Sequence, residues 1–333
     1  MDQKVQTQQK ETILVNGYAY PSIAPETLNA WLPDLTFVST FSYGFTKDGA
    51  LIDLEDEIIT EPARTAGVEA LMVLTPLDSQ GVFSNELVKA LLENIEAQEQ
   101  LIENILSTIK RKGLFGVDFD FEYVFPENRD SYTDLVRRAR ERLNTEGYLV
   151  TVALAPKTSA DQEGLLYQGH DYGGMGQAAN LALLMTYEWG YTYGPPMAVA
   201  PLNQVRRVIE YGLTEIPADQ ILMGMPNYGY DWKLPFIRGK SRAEKISNDE
   251  AVARAARYGA EIQFDEPAQS PYYYYMDENG VQHVVWFEDA RSWRAKLQLV
   301  AEYGLAGISF WNIMDVFATG AQVLREMYDI AKV

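Results

Sequence analysis

Residues 113–123 read Gly113-Leu114-Phe115-Gly116-Val117-Asp118-Phe119-Asp120-Phe121-Glu122-Tyr123. From Val117 onward apolar and acidic residues alternate strictly. A β-strand here therefore puts Val117, Phe119 and Phe121 on one face and Asp118, Asp120 and Glu122 on the other. A solvated acidic face is the usual explanation of such a charge run. The apolar partners of this one point instead to a buried strand, on which like charges about 7 Å apart repel one another. A purely structural strand gains nothing from that crowding. A catalytic one does, because crowding raises the pKa of one carboxyl and keeps a proton donor available near neutral pH.

Outward from this stretch the chain alternates strands and helices, the pattern of βα units and a parallel sheet. Strands are predicted over 13–20, 35–45 and 68–75 before it, and over 149–155, 181–187, 221–226 and 306–311 after it. Helices are predicted over 28–32, 130–143, 202–211 and 290–303. A long helical stretch opened by Ser84 carries Leu87, Leu91, Ile95, Ile102, Ile105 and Ile109 at helical spacing. It closes on Lys110, Arg111 and Lys112 before Gly113, basic residues and a glycine that suit a helix C-terminus. Strands and helices in this rhythm predict an α/β fold closed as a (β/α)8 TIM barrel. Residues 229–287 break the rhythm and include a helix near 249–258 and the tract Tyr272-Tyr273-Tyr274-Tyr275. They read as a small α+β insertion between strand 7 and the last barrel helix. Residues 1–12 are polar and read as a disordered or extended tail, with the barrel spanning 13–333.

Composition narrows the function. Of 333 residues, 28 are Lys or Arg and 47 are Asp or Glu, a formal charge of −19. Nucleic acids and anionic membranes both require basic clusters, so neither is an expected partner. No run approaches the roughly 20 apolar residues of a membrane span, and residues 1–12 lack the apolar core of a signal peptide. With no cysteine and only His170 and His283, neither a disulfide framework nor a Cys or His metal site is expected, and no cofactor is implied.

Phe115 to Glu122 resembles the Asp-Gly-x-Asp-x-Asp-x-Glu signature of glycoside hydrolase family 18, the chitinase-like hydrolases. Every position but the first fits; Phe115 stands where the family has Asp. Met185-Thr186-Tyr187-Glu188 is similar to the family's Met-x-Tyr-Asp, with Glu188 in place of Asp. Gly224-Met225-Pro226-Asn227-Tyr228-Gly229 resembles its seventh-strand motif, and Trp311 ends the eighth strand where the family has a tryptophan. Within the family the likeness is to bacterial spore-cortex fragment hydrolases, through Val15-Asn16-Gly17-Tyr18, Ser42-Tyr43-Gly44-Phe45, Ala155-Pro156-Lys157-Thr158-Ser159 and Gly194 to Pro201. Leu74-Thr75-Pro76-Leu77 replaces the family's third-strand Ser-x-Gly-Gly, which argues against long chitin chains. Relatives of this kind commonly add wall-binding LysM modules, and none is recognisable here.

The resemblance implies a glycosidase that cleaves β-1,4 bonds after N-acetylglucosamine by substrate-assisted retaining catalysis. A conventional retaining glycosidase needs a second carboxyl about 5 Å from the acid, and the family is an exception to that rule. Glu122 is then the proton donor, Asp120 orients the acetamido nitrogen, Asp118 stands behind it, and Tyr187 donates to the acetamido oxygen. Trp311 stacks on the sugar, and Tyr228, Met185, Glu188 and Tyr18 are expected to contact substrate. At a barrel mouth a tryptophan face suits a sugar ring. The Tyr272 to Tyr275 tract serves either as an edge strand of the insertion or as sugar contacts.

The partner expected is a glycan containing N-acetylglucosamine, of the spore-cortex peptidoglycan type, whose muramic acids are in many places closed to a neutral lactam. A strongly anionic enzyme should favour it over wall carrying free carboxylates. A monomer is expected, and the resemblance suggests a spore-associated or extracytoplasmic bacterial setting. Other readings stay open. One is a chitinase-like sugar-binding protein without catalysis, which typically lacks the acid. Another is a hydrolase of chitin oligosaccharides. A third is a metal-dependent hydrolase, against which the acidic triad spans about 13 Å, too far to close on one ion.

Overall fold

The computed structural model describes residues 10–77 and 81–333. Strand β1 (Glu11–Ala19) pairs in parallel with β2 (Phe37–Phe45), which carries the short antiparallel β3 (Leu51–Ile52) beyond its far end. The parallel ladder continues through β4 (Glu69–Leu74), β5 (Gly116–Phe119), β6 (Leu149–Leu154), β7 (Leu181–Leu184) and β8 (Ile221–Pro226). After β8 the chain leaves the barrel for strands β9 (Gly229–Lys233), β10 (Glu244–Ile246), β11 (Gln263–Asp265), β12 (Ser270–Met276) and β13 (Gln282–Trp286). It returns as β14 (Gly307–Trp311), parallel to both β8 and β1, so the sheet closes on itself. Inside the closure Asn16 donates to Ser309 at 2.9 Å and accepts from Ser39 at 2.8 Å, tying β14, β1 and β2 through buried polar groups that are fully paired. The barrel is the (β/α)8 fold predicted, with helices around it.

The ends of several elements differ from the sequence reading, each for a local reason. Residues 1–9 of the expected tail lie outside the described residues, while Glu11 and Thr12 already belong to β1, paired with β15 (Tyr328–Ile330). The helical stretch after Ser84 is two helices, Asn85–Leu92 and Ile95–Lys112, because Asn94 leaves helical geometry and its side chain accepts the Ala97 N–H. A helix over Glu57–Thr65 was hidden by Pro62 within it, a residue that ordinarily argues against a helix interior.

The segment between β8 and the helix Ala290–Tyr303 is an antiparallel sheet in the order β10-β9-β13-β12-β11 with the helix Asn248–Arg257 on one face. Tyr273 and Tyr275 are buried there among Ile246, Ala251, Ala255, Val285 and Phe287. Tyr272 stacks on Trp286 at 4.5 Å. None of the four tyrosines is among the described residues lining the central cleft; β12 pairs with β13 along the whole tract but with β11 only as far as Tyr272, so Tyr273, Tyr274 and Tyr275 have a ladder partner on one side.

Within β5 the signature glycine has a steric reason. A Cβ on Gly116 would sit 2.1 Å from the Leu149 carbonyl oxygen, so only glycine lets β5 and β6 approach this closely. On the outer face Phe121 is stacked between Phe45 and Tyr132, both 5.1 Å away. Burying each such ring stabilises the fold by about 1.5–3 kcal/mol, and together they fix the register that turns the carboxylates inward.

Candidate active site

A cavity of about 620 Å³ opens at the C-terminal ends of the strands, where (β/α)8 barrels carry their chemistry. Tyr18 and Tyr20 reach it from β1, Phe41 from β2, Asp120 and Glu122 from the end of β5, Met185, Tyr187 and Glu188 from the end of β7, and Trp311 from β14. Trp311 is framed by edge-on rings of Phe41 at 5.0 Å, Tyr18 at 5.5 Å and Tyr20 at 6.0 Å. A smaller space of about 140 Å³ shares Glu122, Tyr167, Met185, Tyr187 and Glu188 but is closed by Pro156 and Trp189 instead of Trp311. Glu122 therefore stands between two compartments.

The carboxylates do not share one environment. Asp118 is buried below the cavity, where Tyr18 donates to its Oδ2 at 2.6 Å and Thr151 to its Oδ1 at 2.5 Å. Burial raises its pKa, and these two donors oppose the rise. Asp120, one step higher, has a buried Oδ1 with no hydrogen-bond partner among the described residues. Burial, then the charges of Glu122 and Asp118, push its carboxyl well above the usual range. Glu122 is half-buried at the cavity wall, and burial, followed by the negative field of Glu188, pushes it up to about 7. A carboxyl poised there can give up a proton and take one back at neutral pH. Tyr187 is held neutral, its pKa raised by burial and by the surrounding carboxylates.

Glu188 accepts from Tyr228 at 2.5 Å and Tyr230 at 2.9 Å, and Lys245 Nζ lies 3.9 Å over the Tyr228 ring. Burial still raises its pKa against those donors. Glu188 at φ 67 and Tyr123 at φ 57 both occupy the left-handed region, at a cost of about 1–3 kcal/mol each for residues other than glycine. Both border the cavity.

Most of the residues singled out in the sequence are brought together here; besides the tyrosine tract and Asp118 below the cavity, Tyr228 and Phe115 do not line it. Tyr228 is buried and absent from the cavity lining, so it holds Glu188 and does not form the groove wall. Phe115, at the position where the signature departs from the family, lies on the opposite side of the strand from the carboxylates. It packs on Phe37 at 5.8 Å beside Asn144 and Tyr148, toward the other end of the barrel. Tyr20, Thr151, Tyr123, Tyr167 and Tyr191 were not singled out. The two-residue step from Tyr18 to Tyr20 could have pointed to one of them and the alternation that ends at Tyr123 to another; Tyr167, in the short helix Leu165–Gln168, and Tyr191 belong to no periodic pattern. Among the described residues no group of His, Asp and Glu is placed to hold a metal ion, and no helix is long and apolar enough to cross a membrane.

Known proteins resemble this chain in sequence and fold. The model of glycosyl hydrolases family 18 matches residues 81–315. The cortical fragment-lytic enzyme of Bacillus subtilis (strain 168) is 40% identical over 300 residues, an alignment covering 90% of this chain and 69% of that protein. The crystal structure of the Bacillus cereus spore cortex-lytic enzyme SleL superposes with a TM-score of 0.94 at 38% identity, covering 98% of this chain and 76% of that one. A chitinase from Chromobacterium violaceum ATCC 12472 superposes at 0.88 with 25% identity, covering 95% and 98%. With this match across most of its length, the chain belongs to glycosyl hydrolases family 18 and is a glycoside hydrolase.

Proposed function

We propose that the enzyme cleaves β-1,4 bonds after N-acetylglucosamine in spore-cortex-type peptidoglycan fragments, with the substrate's own acetamido oxygen as nucleophile. The observation that carries this reading is the asymmetry of the acidic strand. Asp118 has both oxygens engaged, whereas Asp120 keeps a buried oxygen unpaired beside the cavity, as an acceptor for an acetamido N–H would.

In this scheme the sugar to be cleaved rests by Trp311, and Tyr187 donates to its acetamido oxygen. Glu122 protonates the glycosidic oxygen as that bond breaks, and the acetamido oxygen bonds to the anomeric carbon. Asp120 accepts the acetamido N–H and offsets the positive charge of the oxazolinium. The leaving sugar occupies the compartment of Tyr167, Pro156 and Trp189. Glu122, now ionised, takes a proton from the water that opens the ring. The catalytic roles of Asp118, Asp120, Glu122 and Tyr187, and the binding roles of Trp311, Met185, Glu188 and Tyr18, belong to this proposal. Tyr228 enters it through Glu188.

The names of the relatives favour cortex fragments, and so does the charge of −19, which disfavours glycans dense in carboxylates. Mass spectrometry of the products from spore-cortex peptidoglycan, vegetative peptidoglycan and chitin oligosaccharides tests the reading. Muramic-lactam fragments ending in N-acetylglucosamine are expected, released in preference at low salt and unaffected by excess EDTA. Activity confined to chitin oligosaccharides, or equal rates on both walls, would reject the cortex assignment.

A further inference from the structure

Phe121 and Glu122 lie beyond the last ladder pair of β5, so no strand neighbour fixes the peptide between them. His170 fills that place. It is fully buried, and its Nδ1 accepts the backbone N–H of Ala155 at 2.8 Å. A ring nitrogen that accepts from an N–H carries no proton, so in the neutral ring the proton is on Nε2. Nε2 lies 2.9 Å from the Phe121 carbonyl oxygen and donates to it. Burial pushes the His170 pKa down to about 4, which keeps the ring neutral.

The ring and its loop are themselves held. Lys157 Nζ donates to the His170 carbonyl at 2.9 Å. The Tyr172 hydroxyl accepts the Lys157 N–H at 3.0 Å and donates to the Ala155 carbonyl at 2.6 Å. A Cβ on Gly169 would fall 2.3 Å from the Val124 carbonyl oxygen, so the loop that bears His170 presses directly on the segment after Glu122. From the other side Tyr132 stacks on the Phe121 ring with 6° between their planes. Both the ring and the carbonyl of Phe121 are thus fixed, and the chain then passes through Glu122 into Tyr123 at φ 57. Such a conformation persists only where its surroundings over-determine it.

We propose that His170 is a positioning residue for catalysis: its bond to the Phe121 carbonyl sets the peptide plane from which the Glu122 carboxyl enters the cleft, and His170 itself does not touch the substrate. The inference rests on Glu122 being the proton donor.

Two replacements separate the two ring contacts. His170→Asn keeps an oxygen near the position of Nδ1 for the Ala155 N–H but is too short to reach Phe121. His170→Gln carries an amide nitrogen toward the position of Nε2 and keeps the Phe121 contact. Turnover is measured on spore-cortex peptidoglycan fragments and on chitin oligosaccharides, per folded molecule, with the folded fraction read by near-ultraviolet circular dichroism. His170→Asn is expected to lose about tenfold to a hundredfold in kcat with KM within about twofold, and His170→Gln to stay within about threefold of wild type. Equal losses in the two variants, a reversed order, or a loss confined to KM would overturn the inference. Glu122→Gln is assayed beside them. If it keeps turnover, the proton-donor assignment fails; if it is inactive while His170→Asn is fully active, only the role of His170 fails.

Discussion

The Tyr18 hydroxyl donates a 2.6 Å hydrogen bond to Oδ2 of Asp118, from β1 to a strand with which β1 has no ladder contact. Thr151 of the neighbouring β6 takes the other oxygen. Asp118 is therefore anchored from two sides, Asp120 one step above keeps an oxygen unpaired, and Glu122 one step further reaches the cavity. Three carboxylates that alternate onto one face thus come to have three different environments.

That gradient predicts the order of effects along the strand. Glu122→Gln should lower turnover by about 10²- to 10⁴-fold with sugar binding retained, as loss of a general acid does. Asp120→Asn should be similarly severe and Asp118→Asn milder. Tyr18→Phe should be milder still, with about 1–3 kcal/mol of stability lost from the missing bond to the carboxyl. Steady-state kinetics and urea unfolding read these; an Asp118→Asn more damaging than Asp120→Asn would invert the depth assigned to the two.

The raised pKa of Glu122 sets the pH profile. The donor must be protonated, so kcat/KM should be level on the acid side and fall about tenfold per pH unit above about 7. Stability is linked to the same proton. The folded pKa lies above the unfolded value of about 4.3, so this contribution is complete below that value and is lost as pH rises toward about 7. Glu122→Gln cannot lose it. Its Tm advantage over wild type should widen between about pH 4 and about pH 8 in thermal melts, and a constant difference would contradict the shift.

The acetamido group is expected to be indispensable. A matched substrate with a free amine or hydroxyl at C2 of the sugar in the cleavage site should not be cut, because the nucleophile is gone. A thiazoline analogue of the cyclised intermediate should inhibit, and Tyr187→Phe should weaken that inhibition. Inhibition constants for both enzymes check this, and a covalent glycosyl-enzyme trapped in the mass spectrum would contradict the mechanism.

Where the chain passes from the insertion into the helix Ala290–Tyr303, a fully buried ion pair forms, in which Lys296 donates to Glu288 at 2.8 Å and Ser292 donates to the same carboxylate at 2.6 Å. Lys296→Met leaves that carboxylate buried without its counter-charge and should cost about 3–5 kcal/mol in urea unfolding. Adding Glu288→Gln should restore most of the loss, since the uncompensated charge is then gone. A double variant no more stable than Lys296→Met would show that packing, and not charge, is what the lysine supplies.

Local periodicity carried a large share of this. The alternation from Val117 to Glu122 specifies a strand with its acids on one face, though the paired strand stops at Phe119, and the repeated strand and helix patterns specify a barrel, because side-chain direction depends only on neighbours along the chain. Even locally, Asn94 and Pro62 showed that one residue's capping or packing can override a pattern. What each acid does was decided by tertiary structure. Tyr18 lies 100 residues from Asp118, Tyr228 lies 40 from Glu188, and His170 lies 49 from the Phe121 carbonyl that it holds. Tertiary structure likewise packed Phe115 against Phe37 and buried Tyr273 and Tyr275, but not Tyr274, inside the insertion. Hydrogen-bond partners and burial, which set the pKa of each carboxyl, exist only once the barrel closes and brings these distant segments within about 3 Å of each other.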